Sequence, residues 1–283
     1  MPARPGGHRP RKALGQHFLT DVRILDRIVA ALDPASDDVV LEIGPGKGTL
    51  TARLLAAGVR VVTIERDRAL AAELEARREE WGAGRVSVVP GDALRMDWHA
   101  QLRSVDWTAP GPALAPPRWK VVGNIPYNIT TPLIAKALTP PWPACIVFLV
   151  QAEVADRLAA RPGTRAYGAL SVGVQAACRV ERLFGVRAGA FRPPPRVASA
   201  VVRLTPRAEP LVPAPDTAAF RAFVTACFAR RRKQLRNAVA AAWGCAPAVA
   251  ARVLAELGLD PAARPETLAP AAFAALLRRG MRL

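Results

Sequence analysis

Hydrophobic and polar positions along the first two thirds of the chain alternate between the period of a strand and that of a helix. Short apolar runs, each typical of a buried strand, are separated by longer segments with apolar residues at helical spacing. The predicted strands are 39–43, 59–64, 86–89, 120–122 and 145–150, and the predicted helices are 21–32, 49–57 and 67–81. Strands that alternate with helices favour a parallel, doubly wound sheet, so the predicted fold class is α/β.

The last third of the chain has a different pattern. Residues 205–216 are rich in proline and are predicted to be a linker, and beyond them every apolar period is helical. The predicted helices there are 217–229, 236–243, 247–257 and 270–278. We therefore predict a basic N-terminal arm over 1–20, an α/β domain over 21–205 and a small all-helical domain over 206–283. An Ala/Pro-rich stretch at 104–118 is predicted to be a surface loop.

The net charge restricts the partners that the protein can have. Forty Lys and Arg against 23 Asp and Glu give +17, which favours nucleic acid or an anionic membrane. The longest apolar run, 144–150, is far shorter than the ~20 residues of a spanning helix, and no apolar segment of a secretory signal follows the basic N-terminus. The four cysteines have no CxxC spacing, so we expect neither disulfides nor a metal site. These features predict a cytoplasmic, nucleic-acid-binding protein.

A glycine loop follows the first predicted strand of the sheet. Its sequence over 42–48 is E-I-G-P-G-K-G, and Gly44 and Gly46 let the backbone approach a ligand closely. Dinucleotide-binding folds also use a glycine loop, with G-x-G-x-x-G spacing. The spacing here is G-x-G-x-G, and Glu42 precedes it. This form resembles the S-adenosylmethionine loop of Rossmann-like class I methyltransferases.

Two further acids follow the next two predicted strands. Glu65 ends the second strand, where an acid can accept hydrogen bonds from both ribose hydroxyls of a nucleoside. Asp92 follows the third strand and can accept one from an adenine amino group. Each acid alone is more often a solvated loop residue or a helix cap. Acids in order at the carboxyl ends of successive strands favour a ligand site, because open α/β sheets bind ligands there.

The N-I-P-Y sequence at the end of the fourth predicted strand suggests the chemistry. The exocyclic amine of a purine is a poor nucleophile, since its lone pair is delocalised into the ring. The Asn124 side-chain oxygen and the Ile125 carbonyl can accept both N–H hydrogens and hold the nitrogen in a nucleophilic geometry. Pro126 stiffens the turn, and Tyr127 can stack on an extruded base. The alternative is a turn with a packed aromatic ring.

Taken together, these motifs resemble one family, the small-subunit ribosomal RNA adenine dimethyltransferases whose loss confers kasugamycin resistance. The resemblance runs from about residue 12 to the C-terminus. The matching motifs are G-Q-H-F-L at 15–19, the glycine loop, G-D-A-L at 91–94, N-I-P-Y-N-I at 124–129, Y-G-A-L-S-V at 167–172, F-R-P-P-P-R-V at 191–197 and R-R-K-Q-L-R-N at 231–237.

The resemblance implies methylation of two adjacent adenines near the 3′ end of 16S RNA, with S-adenosylmethionine as methyl donor and the small ribosomal subunit as partner. It implies cofactor contacts at His17, Leu19, Gly44, Gly46, Glu65, Asp92, Ala93 and Asn124. It implies base stacking by Tyr127 and Phe191. The sequence departs from the family at position 17, where Asn is more frequent than His, and in the longer stretch before Trp119.

A cluster of cations begins the most highly charged helical region of the predicted second domain. Arg231, Arg232, Lys233 and Arg236 repel one another unless an anion lies between them, so we expect them to contact RNA phosphates. Such contacts position the enzyme, while the flipped adenine is recognised in the pocket. The alternative is that the cluster forms only a solvated helix face with no RNA contact.

Two other functions remain open. One is a large-subunit RNA methyltransferase of the macrolide-resistance type, which shares several of the motifs. The other is a ribosome assembly or RNA-binding factor that kept the fold and lost the activity. The protein is expected to be a monomer.

Overall fold

The computed structural model describes residues 15–82, 84–105, 118–229 and 233–281. The predicted basic arm as far as residue 14, most of the predicted loop at 104–118, and Arg231 and Arg232 lie outside the described residues. The other site residues predicted from the sequence are within them.

The described strands form one large sheet and one short ribbon. The seven-stranded sheet has the order β4-β3-β2-β5-β6-β9-β7, and β1 pairs with β8 in the ribbon. The strands are β1 Phe18–Leu19, β2 Val39–Ile43, β3 Arg60–Glu65, β4 Val86–Pro90, β5 Trp119–Asn124, β6 Cys145–Gln151, β7 Cys178–Val186, β8 Phe191–Arg192 and β9 Ser199–Pro206.

Helices connect and flank these strands. Within the described residues they are α1 Val22–Leu32, α2 Thr49–Ala56, α3 Arg68–Ala76, α4 Trp98–Ser104, α5 Thr130–Ala137, α6 Ala152–Leu158, α7 Ala169–Gln175, α8 Thr217–Phe228, α9 Leu235–Trp243, α10 Pro247–Glu256 and α11 Pro270–Gly280. The predicted α/β class with a helical C-terminal region is confirmed.

The sheet is mixed, whereas the sequence analysis predicted a parallel one. Strands β2 to β6 pair in parallel, but β9 runs antiparallel to β6, with Ile146 opposite Leu204 and Gln151 opposite Ser199. Neither β7 nor β9 was predicted. Because β9 continues to Pro206, the first two residues of the predicted linker at 205–216 belong to a strand.

The contacts divide the chain into two units. The sheet unit contains the chain as far as Ala137, with Pro141–Ala152 and Arg182–Leu204, and the helical unit contains Leu138–Pro140, Glu153–Glu181 and the chain from Thr205 onwards. Residues 153–181 thus group with the helices, although the predicted boundary at 205/206 placed them in the α/β domain. The Tyr167 side chain shows why, since it is fully buried in the core of the helical unit and its hydroxyl donates to Leu268 O at 2.8 Å.

Apolar side chains on both faces bury the central strands. All five residues of β2 are buried, which is typical of a parallel strand covered on both sides. Helix α1 buries Leu25, Ile28 and Leu32, and the Asp21 side chain caps it by accepting from Arg23 N at 2.9 Å. No single described helix has the length and hydropathy of a membrane span, and α9 and α10 reach them only as a pair bent by 112°.

A buried ion pair joins the amino ends of the two strands that precede the candidate site. Lys120 on β5 lies 2.6 Å from Asp38, just before β2, and the two side chains are 3% and 0% exposed. The lysine also donates to Asp33 O, and Asp38 accepts from Ala35 N at 2.8 Å. The pair therefore links β5 to the turn that leads into β2.

We expect Lys120→Met to lower the free energy of unfolding by about 3–5 kcal/mol in urea denaturation, because Asp38 would remain buried and unpaired. Asp38→Asn combined with Lys120→Met should recover part of that loss. The matched control is Glu75→Gln, which breaks an exposed pair with Arg78 and should cost under about 1 kcal/mol. A loss as small as the control's in Lys120→Met would show that the buried pair contributes little.

Candidate active site at the carboxyl ends of the sheet

A cavity lies where the parallel strands β2, β3, β4 and β5 end. The loops after these strands and the segment 15–19 line it. The lining includes every residue predicted to contact the cofactor, together with the N-I-P-Y turn: His17, Leu19, Gly44, Gly46, Glu65, Asp92, Ala93, Asn124, Ile125, Pro126 and Tyr127. The predicted cofactor residues thus lie together in one cavity.

The close approach of β5 to β2 requires a glycine. Gly123 pairs with Ile43, and a Cβ at position 123 would lie 2.6 Å from the Ile43 carbonyl oxygen. Since real Cβ atoms do not approach an oxygen so closely, a larger residue would separate the strands. Gly123 therefore sets the distance between the glycine loop and Asn124, the next residue along β5.

The glycine loop packs against β1. Gly46 has φ +59°, and a Cβ there would lie 2.9 Å from the Phe18 ring. Any side chain at position 46 would be strained and would also displace Phe18. The loop therefore leaves its backbone open to a ligand on the cavity side.

Glu65 connects the glycine loop to the end of β3. Its carboxylate accepts from Gly46 N at 3.0 Å through Oε2 and from Asp67 N at 2.8 Å through Oε1, and the residue is 6% exposed. Burial raises the pKa of Glu65, while these backbone hydrogen bonds oppose the shift. Each carboxylate oxygen can accept a further hydrogen bond, so both remain able to bind a hydroxyl pair.

Asp92 and Ala93 form the cavity wall after β4. Asp92 Oδ1 accepts from Leu94 N at 3.0 Å, and Oδ2 lies 3.8 Å from Arg66 Nε. Ala93 is 7% exposed, and its carbonyl accepts from the Trp98 indole at 2.8 Å. These contacts hold a carboxylate in the cavity wall beside the strand that ends at Glu65.

One hydrogen bond fixes the orientation of the Asn124 amide. Its Nδ2 donates to His17 O at 2.7 Å, which makes Oδ1 the acceptor, and among the described residues no donor binds Oδ1. Beside it, Ile125 is buried and its N–H donates to Leu149 O at 3.1 Å. The turn thus presents a fixed, unpaired acceptor at the cavity.

Two contacts hold the Tyr127 side chain in the cavity lining beside this turn. Its hydroxyl lies 2.7 Å from Ser199 Oγ, and its ring stacks with the His17 ring at 6.0 Å between centroids and 23° between planes. The His17 Nδ1 in turn lies 2.9 Å from Pro193 O. The sequence analysis did not identify Ser199, because a lone serine in a strand carries no recognisable signal.

Phe191 does not lie with the other predicted base contacts. It is fully buried in the apolar core of the sheet unit, where β8 pairs it with Leu19 of β1. The side chain is absent from the described cavity lining. The expectation that Phe191 stacks on a base does not agree with this position, because a fully buried ring has no face exposed to a base.

Glu42 is a cavity residue that the sequence analysis identified as part of the cofactor loop but to which it assigned no ligand contact. It is 1% exposed, Thr51 Oγ1 donates to its Oε2 at 2.6 Å, and Oε1 has no hydrogen-bond donor among the described residues. Burial raises the pKa of Glu42 to about 8, and the charge of Glu65 adds to the shift against the hydrogen bond from Thr51. The position of Glu42 directly before the glycine loop is the sequence feature that could have indicated a ligand contact.

Of the predicted phosphate contacts, the described ones are exposed. Arg236 lies in the first turn of α9, and Lys233 lies just before that helix in the helical unit. The backbone there is anchored, since Leu235 N donates to Ala263 O at 2.7 Å and Arg236 N to Pro261 O at 3.1 Å. The two cations thus project from an ordered helix end.

The geometry can be compared with known proteins. A family model described as ribosomal RNA adenine dimethylase matches residues 7–253. The ribosomal RNA small subunit methyltransferase A of Hahella chejuensis is 42% identical over 263 residues, which cover 93% of this chain and 89% of that protein. The protein of the same name from Pseudomonas aeruginosa is 42% identical over 271 residues, with coverages of 95% and 94%.

Two solved structures are similar over nearly the whole chain. A dimethyladenosine transferase from Plasmodium falciparum has a TM-score of 0.74 at 27% identity and covers 94% of this chain and 98% of its own. The 23S rRNA methyltransferase ErmE has a TM-score of 0.68 at 27% identity, with coverages of 93% and 98%. The matched family model spans most of the chain and includes every cavity residue described above, so the chain belongs to the ribosomal RNA adenine dimethylase family.

Proposed function

We propose that the protein transfers methyl groups from S-adenosylmethionine to N6 of two adjacent adenines near the 3′ end of 16S ribosomal RNA, during ribosome biogenesis in the cytoplasm. The curated relatives support the small-subunit substrate by their names. The observation that carries the chemistry is the Asn124 amide, whose unpaired Oδ1 is fixed in the cavity by the bond from Nδ2 to His17 O.

The cavity fits S-adenosylmethionine, which supplies an electrophilic methyl group when bound. Three acids line it, and each suits one hydrogen-bond-donating group of that molecule: Glu42 the ammonium, Glu65 the ribose hydroxyls and Asp92 the adenine amine. Gly44, Gly46, Leu19, Ala93 and His17 also line the cavity. The fit rests on Oε1 of the buried Glu42 in particular, a carboxylate oxygen that has no hydrogen-bond donor among the described residues.

Asn124 and Ile125 position the amine of the target adenine. The Asn124 Oδ1 and the Ile125 carbonyl accept its two N–H hydrogens, which directs the nitrogen lone pair toward the methyl carbon. An amine held in this way would take the methyl group from the sulfonium sulfur, and the proton that the amine then loses would go to water. No metal or strong base is required, because the amine becomes acidic once it is methylated.

The substrate RNA is held at two places. Tyr127, fixed by Ser199, provides a ring on which the flipped adenine stacks, and Pro126 stiffens its turn. In the helical unit, Arg231, Arg232, Lys233 and Arg236 contact phosphates without reading the sequence. We assign no base contact to Phe191, since it is buried in the core. A monomer acting on the small subunit is sufficient for this arrangement.

The decisive experiment is transfer of labelled methyl groups to 30S and 50S particles from strains that lack the respective modifications, with mapping of the labelled bases. We expect label on two adjacent adenines of the 30S particle. The solved structures do not choose between the two subunits, since both are matched at 27% identity. Label confined to 50S particles would show a large-subunit enzyme, and no label on either would indicate a binding factor.

Asn124→Ala should lower the methyl-transfer rate by roughly 10²–10³-fold, because the acceptor that orients the amine is lost. Cofactor affinity should change far less, since Asn124 is one contact among many. Thr131→Ala, which removes an exposed side chain a few residues away, should transfer methyl groups at the parent rate. Single-turnover kinetics on 30S particles and calorimetry with the cofactor measure the two effects. Near-normal transfer by Asn124→Ala would remove this residue from catalysis.

Cofactor binding at pH 7 should release close to one proton from Glu42. Its pKa of about 8 leaves the free carboxyl mostly protonated at pH 7, and a bound ammonium would favour the ionised form. Affinity should therefore rise with pH up to about 8. Calorimetry in two buffers of different ionisation enthalpy measures the released proton, and Glu42→Gln is the control that should abolish it. An observed heat that is the same in both buffers would contradict the pairing.

Replacing Lys233 and Arg236 by Gln should weaken binding to 30S particles. The salt slope of log K should fall by about 0.7–0.9 for each phosphate that is no longer neutralised. The matched control replaces Arg252 and Arg279, two cations of the same unit that already pair with Glu256. The control variant removes the same amount of charge. Equal salt slopes in the two double variants would therefore show that Lys233 and Arg236 act only through the net charge of the protein. Cofactor affinity should be unchanged in both.

A further inference from the structure

Lys136 binds the loop that follows β4 from the far end of α5. Its ammonium donates to Leu94 O at 3.0 Å and to Met96 O at 2.5 Å, across about forty residues of sequence. The side chain is half-buried, and no carboxylate of the described residues pairs with it. An ammonium has three donors and no acceptor, so backbone carbonyls satisfy it here in place of an acid.

Trp98 binds the same loop from another direction. Its indole Nε1 donates to Ala93 O at 2.8 Å, its side chain is buried, and the Lys136 ammonium lies 5.6 Å from the ring centroid. Lys136 and Trp98 together therefore hold the carbonyls of residues 93, 94 and 96. Leu94 is bound at both ends, since its N–H donates to Asp92 Oδ1 at 3.0 Å.

Helix α5 connects this loop to the Asn124 turn. It begins at Thr130, whose hydroxyl donates to Pro126 O at 3.3 Å, and Lys136 lies in its last turn. A helix is stiff over such a length, so the distance between the two loops depends on the contacts at its two ends. Loss of the Lys136 contacts would free the Asp92 loop while Asn124 stays in place.

We propose that Lys136 is a positioning residue for the adenine ring of the cofactor. It holds residues 92–96 so that Asp92 accepts from the 6-amino group at a fixed distance from Asn124. This inference rests on the proposed use of S-adenosylmethionine and adds a residue outside the cavity lining. The competing explanation is that Lys136 stabilises the fold alone, with no effect on how the purine is recognised.

The test measures recognition of the 6-amino group directly. The probes are S-adenosylhomocysteine and its analogue whose purine lacks the 6-amino group, bound to the full chain in calorimetry. The parent protein should prefer the first by about tenfold, the value of a hydrogen bond to a charged acceptor. Lys136→Met should reduce this ratio to near one, and Lys136→Arg, which keeps donors, should retain most of it.

Two further variants separate positioning from stability. Trp98→Phe keeps a buried ring but loses the bond to Ala93 O, so the same loss of preference is expected from it independently. Arg103→Gln removes an exposed cation from the neighbouring helix α4. This variant should bind the two probes with the parent's ratio of affinities, even if its melting temperature differs.

The outcomes are distinguishable from failure of the proposed function. Binding of neither probe by the parent protein would overturn the use of the cofactor itself. A parent that prefers S-adenosylhomocysteine, with the same preference in Lys136→Met and Trp98→Phe, would overturn the positioning role alone. A lower melting temperature with an unchanged ratio would also overturn it, because a purely structural residue acts on both probes equally.

Discussion

The candidate site depends on the parallel register of four strands. Ile43 of β2 lies opposite Ile64 of β3 on one side and Gly123 of β5 on the other, and Glu65 lies opposite Pro90 of β4. The glycine loop, Glu65, the Asp92 loop and Asn124 therefore all begin within about one residue of a common line. A shift of one residue in β5 would turn Asn124 to the other face of the sheet and would place a side chain where only Gly123 fits.

The net charge of the whole chain and the charged groups of the cavity have opposite signs. The chain as a whole carries +17, yet the cavity is lined by Glu42, Glu65 and Asp92. A polyanion is attracted to the exterior, whereas a ligand with a sulfonium and an ammonium group is favoured inside. Burial keeps Glu42 largely protonated near neutral pH, which limits the repulsion between adjacent acids until a cation enters.

The sequence predicted the site better than it predicted the boundaries of the units. Glu65, Asp92 and Asn124 could be located because strand ends of a parallel sheet converge, and β2 has the predicted bounds. Phe191 could not, because its motif does not say which way a side chain on a two-residue strand points. The grouping of 153–181 with the helices depends on packing across some hundred residues, as the bond from Tyr167 to Leu268 illustrates. The contacts of Lys136 could not be predicted from the sequence either, because its partners lie about forty residues away along the chain.

Position 17 shows how the site tolerates a departure from its family. The contact that orients Asn124 is made by the His17 carbonyl, which any residue provides, so the more frequent Asn and the His found here serve that purpose equally. The side chain has a different task, since its ring stacks on Tyr127 and its Nδ1 reaches Pro193 O. A substitution at this position therefore acts on the packing of the Tyr127 ring, while the hydrogen bond that orients the Asn124 amide is preserved.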